Sequence, residues 1–132
     1  MTAELYWLTL TVLMTAIFWL PYIINRLIEM GIGQAVFNPN SDPSPNAPWA
    51  KRMMSAHENA VENLVILAPL VIVLHITGLA TPLTATAAMV YFFARLAHFL
   101  VYTIGIPGLR TIAFAIGFFC QLIIGLTTLG VL

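Results

Sequence analysis

Residues 51–63, KRMMSAHENAVEN, run without a break into the apolar residues 64–74, LVILAPLVIVL. The first stretch holds two carboxylates and two amides, and a helix that continues from it into a membrane would carry some of them below the surface. Polar groups inside a bilayer are costly unless partners pair with them. Residues 51–63 are therefore the candidate functional stretch, and the rest of the chain must supply its partners.

The composition is typical of an integral membrane protein. Of 132 residues, 61% are apolar and only 8% are charged, far from the balance of an ordinary soluble domain. Four continuous apolar runs each reach the roughly 20 residues with which a helix crosses a bilayer. They cover residues 4–28, 56–77, 83–105 and 110–131. The sequence predicts an all-α fold: a single up-down bundle of four transmembrane helices over residues 1–132, in contact with the lipid bilayer.

The basic residues predict the orientation of the bundle. If the chain crosses four times, all five belong to one side: Arg26, Lys51, Arg52, Arg95 and Arg110. Positively charged residues are enriched on the cytoplasmic side of membrane proteins. The 29–50 loop and the 106–109 turn are therefore predicted to face the cytoplasm, in an inner (cytoplasmic) membrane.

The 29–50 loop is rich in residues that break regular structure. Glycine, proline, asparagine and serine dominate residues 31–49, which predicts neither a helix nor a strand there. The loop is interpreted as a linker, with a lid over a site as the alternative. Within the apolar runs, Pro21 is expected to kink the first helix near its cytoplasmic end, and Pro69 to kink the second.

The second span carries a polar face. At about 100° per residue, Ser55, Asn59 and Glu62 fall at roughly 0°, 40° and 340° around the helix, with Glu58 beside them and His57 on the other side. A solvated helix start explains Lys51 and Arg52. It does not explain Glu62, about 10 Å of helix rise beyond Ser55 and followed by apolar residues.

The third span carries Arg95, His98 and Tyr102 on one face, at spacings of three and four residues. The Cα atom of Arg95 is expected roughly 15 Å from the cytoplasmic end of its helix, near the middle of the bilayer. A buried arginine calls for a carboxylate, and Glu62 is the acidic residue at comparable depth. We therefore predict that Glu62 and Arg95 pair directly or through a bound polar ligand. A purely structural ion pair is the alternative.

Other patterns narrow the possible chemistry. The one cysteine, Cys120, rules out an internal disulfide, and the three histidines lack the spacing of a metal site. No basic run suggests nucleic-acid binding, and no phosphate-binding glycine loop is present. Gly117, Gln121 and Gly125, four residues apart, form a small and polar stripe that predicts close helix packing.

The polar residues of the cytoplasmic half form one candidate site: Asn59, Glu62, His57, Arg95, His98, Tyr102 and Arg110. A carboxylate combined with arginines suits a small zwitterion that carries an amine and carboxylates. The same groups suit activation of a thiol, because a nearby guanidinium stabilises the thiolate.

Three motifs resemble the family of membrane-associated proteins in eicosanoid and glutathione metabolism (MAPEG), and the resemblance covers nearly the whole chain. The family pattern R-x-x-x-N-x-x-E corresponds to residues 55–62, SAHENAVE, and R-x-x-H-x-x-x-Y corresponds to residues 95–102, RLAHFLVY. A later proline and an Arg-Ser/Thr pair correspond to Pro107 and to Arg110 with Thr111. The chain looks like a divergent member of the prokaryotic type.

The resemblance implies a homotrimer of four-helix subunits that hold glutathione between neighbours. Residues matching Asn59, Glu62, Arg95 and Tyr102 bind the peptide in relatives, and the one matching Arg110 stabilises the thiolate. The expected function is that of a membrane-bound glutathione transferase or peroxidase, with glutathione as co-substrate and a lipophilic small molecule as the electrophile.

Two departures from the family pattern keep a second function open. Ser55 stands where the motif has arginine, and the basic residue usual after the first span is not matched in position. Each lost charge-assisted hydrogen bond to a glutathione carboxylate would be worth about 1.5–3 kcal/mol. The alternative is a non-catalytic MAPEG-like protein that binds a lipid or a partner membrane subunit.

Overall fold

The computed structural model describes all 132 residues and contains no strand. Its helices are α1 (Ala3–Ile17), α2 (Leu20–Met30), α3 (Ile32–Phe37), α4 (Pro48–Thr77), α5 (Pro82–Ile104) and α6 (Pro107–Thr128). Four segments are long and apolar enough to cross a membrane: Ala3–Met30, Pro48–Thr77, Pro82–Ile104 and Pro107–Thr128. The chain is an integral membrane protein, and the predicted all-α bundle of four transmembrane helices is confirmed.

Short connections make successive spans antiparallel. Residues 78–81 join α4 to α5, and residues 105–106 join α5 to α6. The α4 and α5 helices pack against each other, and each also packs against α1 and α6. One end of the bundle, called the basic end below, holds the end of α2, the start of α4, the end of α5 and the start of α6, with Arg26, Lys51, Arg52 and Arg110.

Proline, threonine and glycine set the limits of the long helices. Proline stands in the first turn of α4, α5 and α6, where its missing N–H leaves no hydrogen bond unmade. Thr81 and Thr84 form a capping box at the start of α5, each hydroxyl accepting from the other residue's N–H at 3.2 and 2.8 Å. Gly105, at φ 94°, ends α5 in the left-handed region that favours glycine.

The first span is interrupted at Phe18 and Trp19, between α1 and α2. Pro21 has no N–H to donate to the carbonyl of Ile17, so the regular helical ladder cannot continue through this point. The kink predicted from Pro21 is thus an interruption with a new helix beginning at Leu20. By contrast, α4 runs from Pro48 to Thr77 without a break, although Pro69 lies inside it.

The loop between the first two spans is more regular than expected. The prediction that residues 31–49 form no helix is wrong, because α3 occupies Ile32–Phe37 and α4 already begins at Pro48. The carboxylate of Glu29 holds the chain just before α4. It accepts from the N–H groups of Asn46 and Ala47, at 2.8 and 3.2 Å, just ahead of the first helical residue.

Two apolar clusters form the interior. The cluster in the half of the bundle away from the basic end contains Leu8, Leu67, Val71, Leu74, Ala87, Ala88, Tyr91, Cys120 and Ile124. The cluster nearer the basic end contains Met14, Phe18, Tyr22, Ala50, Met53, Ala56, Ala60 and Phe99, none of them from α6. A layer of polar side chains lies between α4, α5 and α6 at the level between the two clusters.

Candidate functional site

The polar layer connects three helices through hydrogen bonds. Arg95 is 2% exposed, and its Nη2 donates to Oδ1 of Asn59 at 2.6 Å. On α4, Nδ2 of Asn63 donates to the carbonyl of Asn59 at 2.9 Å. From α6, Nε2 of Gln121 donates to the carbonyl of Asn63 at 3.1 Å. Asn59 and Arg95, both predicted site residues, are therefore in direct contact, although the predicted ionic partner is not the one observed.

Glu62 does not pair with Arg95. Its side chain is exposed, and the chain's one salt bridge is between Arg26 and Glu29, at 3.6 Å. The direct Glu62–Arg95 ion pair predicted from the sequence is therefore wrong within one chain. The reason is the position of each residue around the helix axis. Asn59 and Glu62 are about 60° apart around α4, and Asn59 faces α5 whereas Glu62 does not. A neutral amide thus takes the place of the expected carboxylate.

Three atoms of α5 are buried without a hydrogen-bonding partner: the hydroxyl oxygen of Tyr91, Nε of Arg95 and Nδ1 of His98. Buried polar atoms in folded proteins nearly always have a partner, and leaving one unpaired costs about 1–3 kcal/mol. Gly117 of α6 packs against this part of α5, and a Cβ on it would lie 3.7 Å from Cδ of Arg95, an ordinary van der Waals contact. These atoms are polar groups that the packing of a single chain leaves unpaired.

Toward the basic end, Tyr102 and Arg110 lie next to this region. The Arg110 guanidinium carbon is 4.5 Å from the centroid of the Tyr102 ring, a cation–π contact. The ring of His98, itself 3% exposed, is 5.5 Å from that of Tyr102. No hydrogen bond or salt bridge within the chain uses the Arg110 guanidinium. By contrast, the Thr111 hydroxyl donates to the Pro107 carbonyl at 3.2 Å.

His57 lies apart from these residues. Its Nδ1 and the hydroxyl of Tyr22 form a hydrogen bond of 2.7 Å, on the side of α4 that faces α1 and α2. The ring also contacts Phe18, whose own ring stacks on Phe99 at 3.7 Å. Of the predicted set, the structure brings together Asn59, Arg95, His98, Tyr102 and Arg110 on one side of the bundle, and it places His57 on another.

Two members of the polar layer were not among the residues predicted from the sequence. Asn63 lies one turn beyond Asn59, and that spacing was the available signal. Gln121 was assigned to helix packing alone. It is 6% exposed and donates to the Asn63 carbonyl, whereas Gly117 and Gly125 lie beside Arg95 and Leu70.

Three concave surfaces open from α4, and two of them lie beside candidate site residues or the polar layer. The first, the polar pocket, has a volume of about 400 Å³ and is lined by Ser44, Lys51, Met54, Ser55 and Glu58. The second, the α4/α6 groove, also of about 400 Å³, is lined mainly by apolar side chains that include Ile66, Leu70, Phe114 and Phe118, and its lining also includes Asn63 and Gln121. A polar and an apolar recess thus lie along the same helix.

Residues 38–47 of the loop between the first two spans are held by hydrogen bonds, which leave both the linker and the lid interpretation open. Nε of Arg26 donates to the Asp42 carbonyl at 2.9 Å, and Glu29 binds Asn46 and Ala47. The N–H of Ser44 donates to Oδ1 of Asp42 at 2.9 Å, and this bond lowers the pKa of the Asp42 carboxyl group. These contacts attach the loop to α2 and hold Ser44 at the rim of the polar pocket.

Comparison with known proteins gives one match. A sequence model of the MAPEG family matches residues 5–130, a range that includes all but the first two residues of the four spans and every residue of the polar layer. Searches of curated proteins and of solved structures find no match to the chain.

Proposed function

Because the chain belongs to the MAPEG family, whose membrane proteins act in glutathione and eicosanoid metabolism, we propose that it is a membrane-bound glutathione transferase or peroxidase. Glutathione is the co-substrate, and the second substrate is a lipophilic electrophile that arrives from the bilayer. The thiolate of glutathione, stabilised by Arg110, attacks this electrophile.

The observation that carries the proposal is that the Arg110 guanidinium has no anionic partner. Its guanidinium lies against the Tyr102 ring and has no anionic partner in its own chain. A cation next to a thiol lowers the thiol pKa from about 8.5 toward neutrality and so raises the fraction of reactive thiolate. Arg110 is well suited to this task because arginine stays charged throughout the physiological pH range.

The remaining residues of the set supply the binding of the peptide. Asn59, Arg95, His98 and Tyr102 offer donors and acceptors beside Arg110, and Nε of Arg95 and Nδ1 of His98 have no partner in the chain. Thr111 stands next to Arg110 in the first turn of α6. Peptide carbonyls and carboxylates are the natural acceptors for such donors. The apolar α4/α6 groove would accommodate the hydrophobic part of the electrophile.

A homotrimer is part of the proposal because Glu62 needs a polar environment. Its carboxylate is exposed on the outer face of α4, within a membrane-spanning helix. A charged side chain exposed to lipid costs several kcal/mol, and a neighbouring copy with its bound ligand would shield the Glu62 carboxylate from lipid.

We place the basic end in the cytoplasm, at the inner membrane, where the positive-inside rule locates it.

The proposal is tested by measuring binding and thiolate formation with purified protein. Wild-type protein should bind glutathione at millimolar concentration, show thiolate absorbance on mixing, and conjugate a generic electrophile. Arg110→Met should keep most of the binding and lose the thiolate signal, while Arg110→Lys, which keeps a positive charge, should retain part of it. Absence of both binding and turnover in the wild-type protein would overturn the proposal.

The second candidate function is non-catalytic binding of a lipid or of another membrane subunit. It is favoured by Ser55, which removes a cation from the motif, and by Glu58, which adds a like charge to the face of Glu62. The discriminating substitution is Ser55→Arg. If only the Ser55→Arg protein binds glutathione, the wild-type protein does not use glutathione and the non-catalytic function is supported. If the wild-type protein already binds glutathione, the catalytic function is supported.

A further inference from the structure

The polar pocket contains charges of both signs that do not neutralise each other. Lys51 and Glu58 both line it, yet no salt bridge joins them within 4 Å. Ser44, from the tethered loop, and Ser55, between the two charges on α4, add hydroxyl groups. An ammonium, two hydroxyls and a carboxylate therefore surround a space of about 400 Å³ at the basic end.

The arrangement follows from the helix. Lys51, Ser55 and Glu58 are spaced by four and three residues, so they lie on one face of α4, which continues one turn further to Glu62. The motif arginine would stand at Ser55, and Lys51 lies one turn before it on that face. The adjacent Arg52 cannot take this role, since its Nε donates to the Thr103 carbonyl at 2.9 Å and its guanidinium lies against Gly105.

We propose that the polar pocket binds the α-amino acid group at the γ-glutamyl end of glutathione, with Lys51 replacing the arginine that the motif lacks at Ser55. The carboxylate of that group accepts from the Lys51 ammonium and from the hydroxyls of Ser44 and Ser55. Its ammonium donates to Glu58. This inference rests on the proposed glutathione function and assigns one end of the peptide within it.

The two charges of the pocket match the two charges of an α-amino acid group. A pocket for a simple anion would not carry Glu58, whose carboxylate repels anions, and a pocket for a simple amine would not carry Lys51. Glu58 adds a like charge when the family pattern is considered alone. Beside an ammonium group of the ligand, the same charge is favourable.

The test is calorimetric titration of the purified full-length protein with three probes: glutathione, glutathione acetylated on its amino group, and glutathione esterified on its glycine carboxylate. Lys51→Met should weaken binding of glutathione about tenfold, the lower end for a charge-assisted bond, and Lys51→Arg should not. Acetylation should weaken binding to the wild-type protein but add little to the loss in Glu58→Gln. Esterification at the glycine end should weaken the wild type and both variants equally.

A rescue experiment separates a specific contact from a general loss. Adding Ser55→Arg to Lys51→Met moves the cation one turn along the same face and should recover most of the affinity. Thermal unfolding should be the same for all variants, because these side chains make no hydrogen bond or salt bridge in the chain. If the wild type binds glutathione and both Lys51→Met and Glu58→Gln bind it equally well, the pocket assignment is wrong while the proposed function stands. If the wild type does not bind glutathione, both fall together.

Discussion

Arg95 has a guanidinium that is 2% exposed within a membrane-spanning helix, and its partner is the amide of Asn59. An amide cannot neutralise the charge, but at 2.6 Å it provides a strong charge-assisted hydrogen bond. The positive charge therefore persists inside the bundle. Such a charge can attract an anionic ligand. An ion pair with Glu62 would have neutralised the charge and removed this attraction.

The Asn59–Arg95 contact can be tested by stability in detergent. Asn59→Leu leaves the guanidinium buried without its acceptor and should lower the free energy of unfolding by about 3 kcal/mol. Combining it with Arg95→Met removes the charge as well, and the double variant should recover most of that loss. Glu62→Gln serves as the control and should change stability by less than about 0.5 kcal/mol. Equal stability of Asn59→Leu and the wild type would contradict this account.

Helical periodicity predicted correctly that Asn59 lies on the polar face of α4 and that Arg95 is deeply buried. It could not identify the partner of Arg95, because the angle of a residue around one helix does not say which neighbouring helix lies at that angle. Charge complementarity favoured Glu62, but the packing of α4 against α5 selected Asn59. The hydrogen bond of Gln121 was not predicted for the same reason. It crosses from α6 to the backbone of α4, and the sequence of α6 alone does not show which helix lies opposite Gln121.

The interruption of the first span is contacted by two neighbouring helices. Where α1 ends and α2 begins, the Tyr22 hydroxyl binds Nδ1 of His57 on α4, and Phe18 stacks on Phe99 of α5. The break was predictable from Pro21, because proline affects its own helix wherever it stands. The contacts across it were not, and neither was α3, since six residues with a glycine among them give too short a pattern to recognise.

Tyr22→Phe tests whether the Tyr22–His57 hydrogen bond holds the interruption in place. Loss of this partly buried bond should cost about 1 kcal/mol and increase hydrogen exchange around residues 18–23. Tyr6→Phe is the matched control, because Tyr6 is 51% exposed and its hydroxyl makes no hydrogen bond in the chain. If thermal unfolding and exchange are identical in the two variants, the bond does not stabilise the break.

At the scale of the whole molecule, the outer face of α4 exposes four polar side chains: Lys51, Ser55, Glu58 and Glu62. A single copy leaves this polar face unpaired over about 16 Å of helix. Native mass measurement in mild detergent should therefore give three copies per particle. Glu62→Lys, which reverses the charge at the membrane-embedded end of the face, should reduce the trimer fraction. Only monomers in the wild-type protein, at every detergent concentration, would contradict the homotrimer.

The hydrogen bond between Asn59 and Arg95 also bears on the biosynthesis of the protein. An arginine near the centre of a lone hydrophobic helix opposes its transfer from the translocon into lipid by about 2.5–3.5 kcal/mol. Since Asn59 belongs to the preceding span, α4 and α5 are expected to leave the translocon together, as a hairpin with the bond already made.

Glycosylation mapping of inserted segments tests this order. The α5 segment presented alone should insert poorly, the α4–α5 pair should insert efficiently, and Asn59→Leu should lower the efficiency of the pair. Equal insertion of α5 alone with Arg95 and with Arg95→Leu would refute the hairpin. Because α4 is synthesised before α5, the Asn59 amide is already present at the translocon when the Arg95 guanidinium emerges. The insertion of α5 therefore depends on the order of the two spans along the chain.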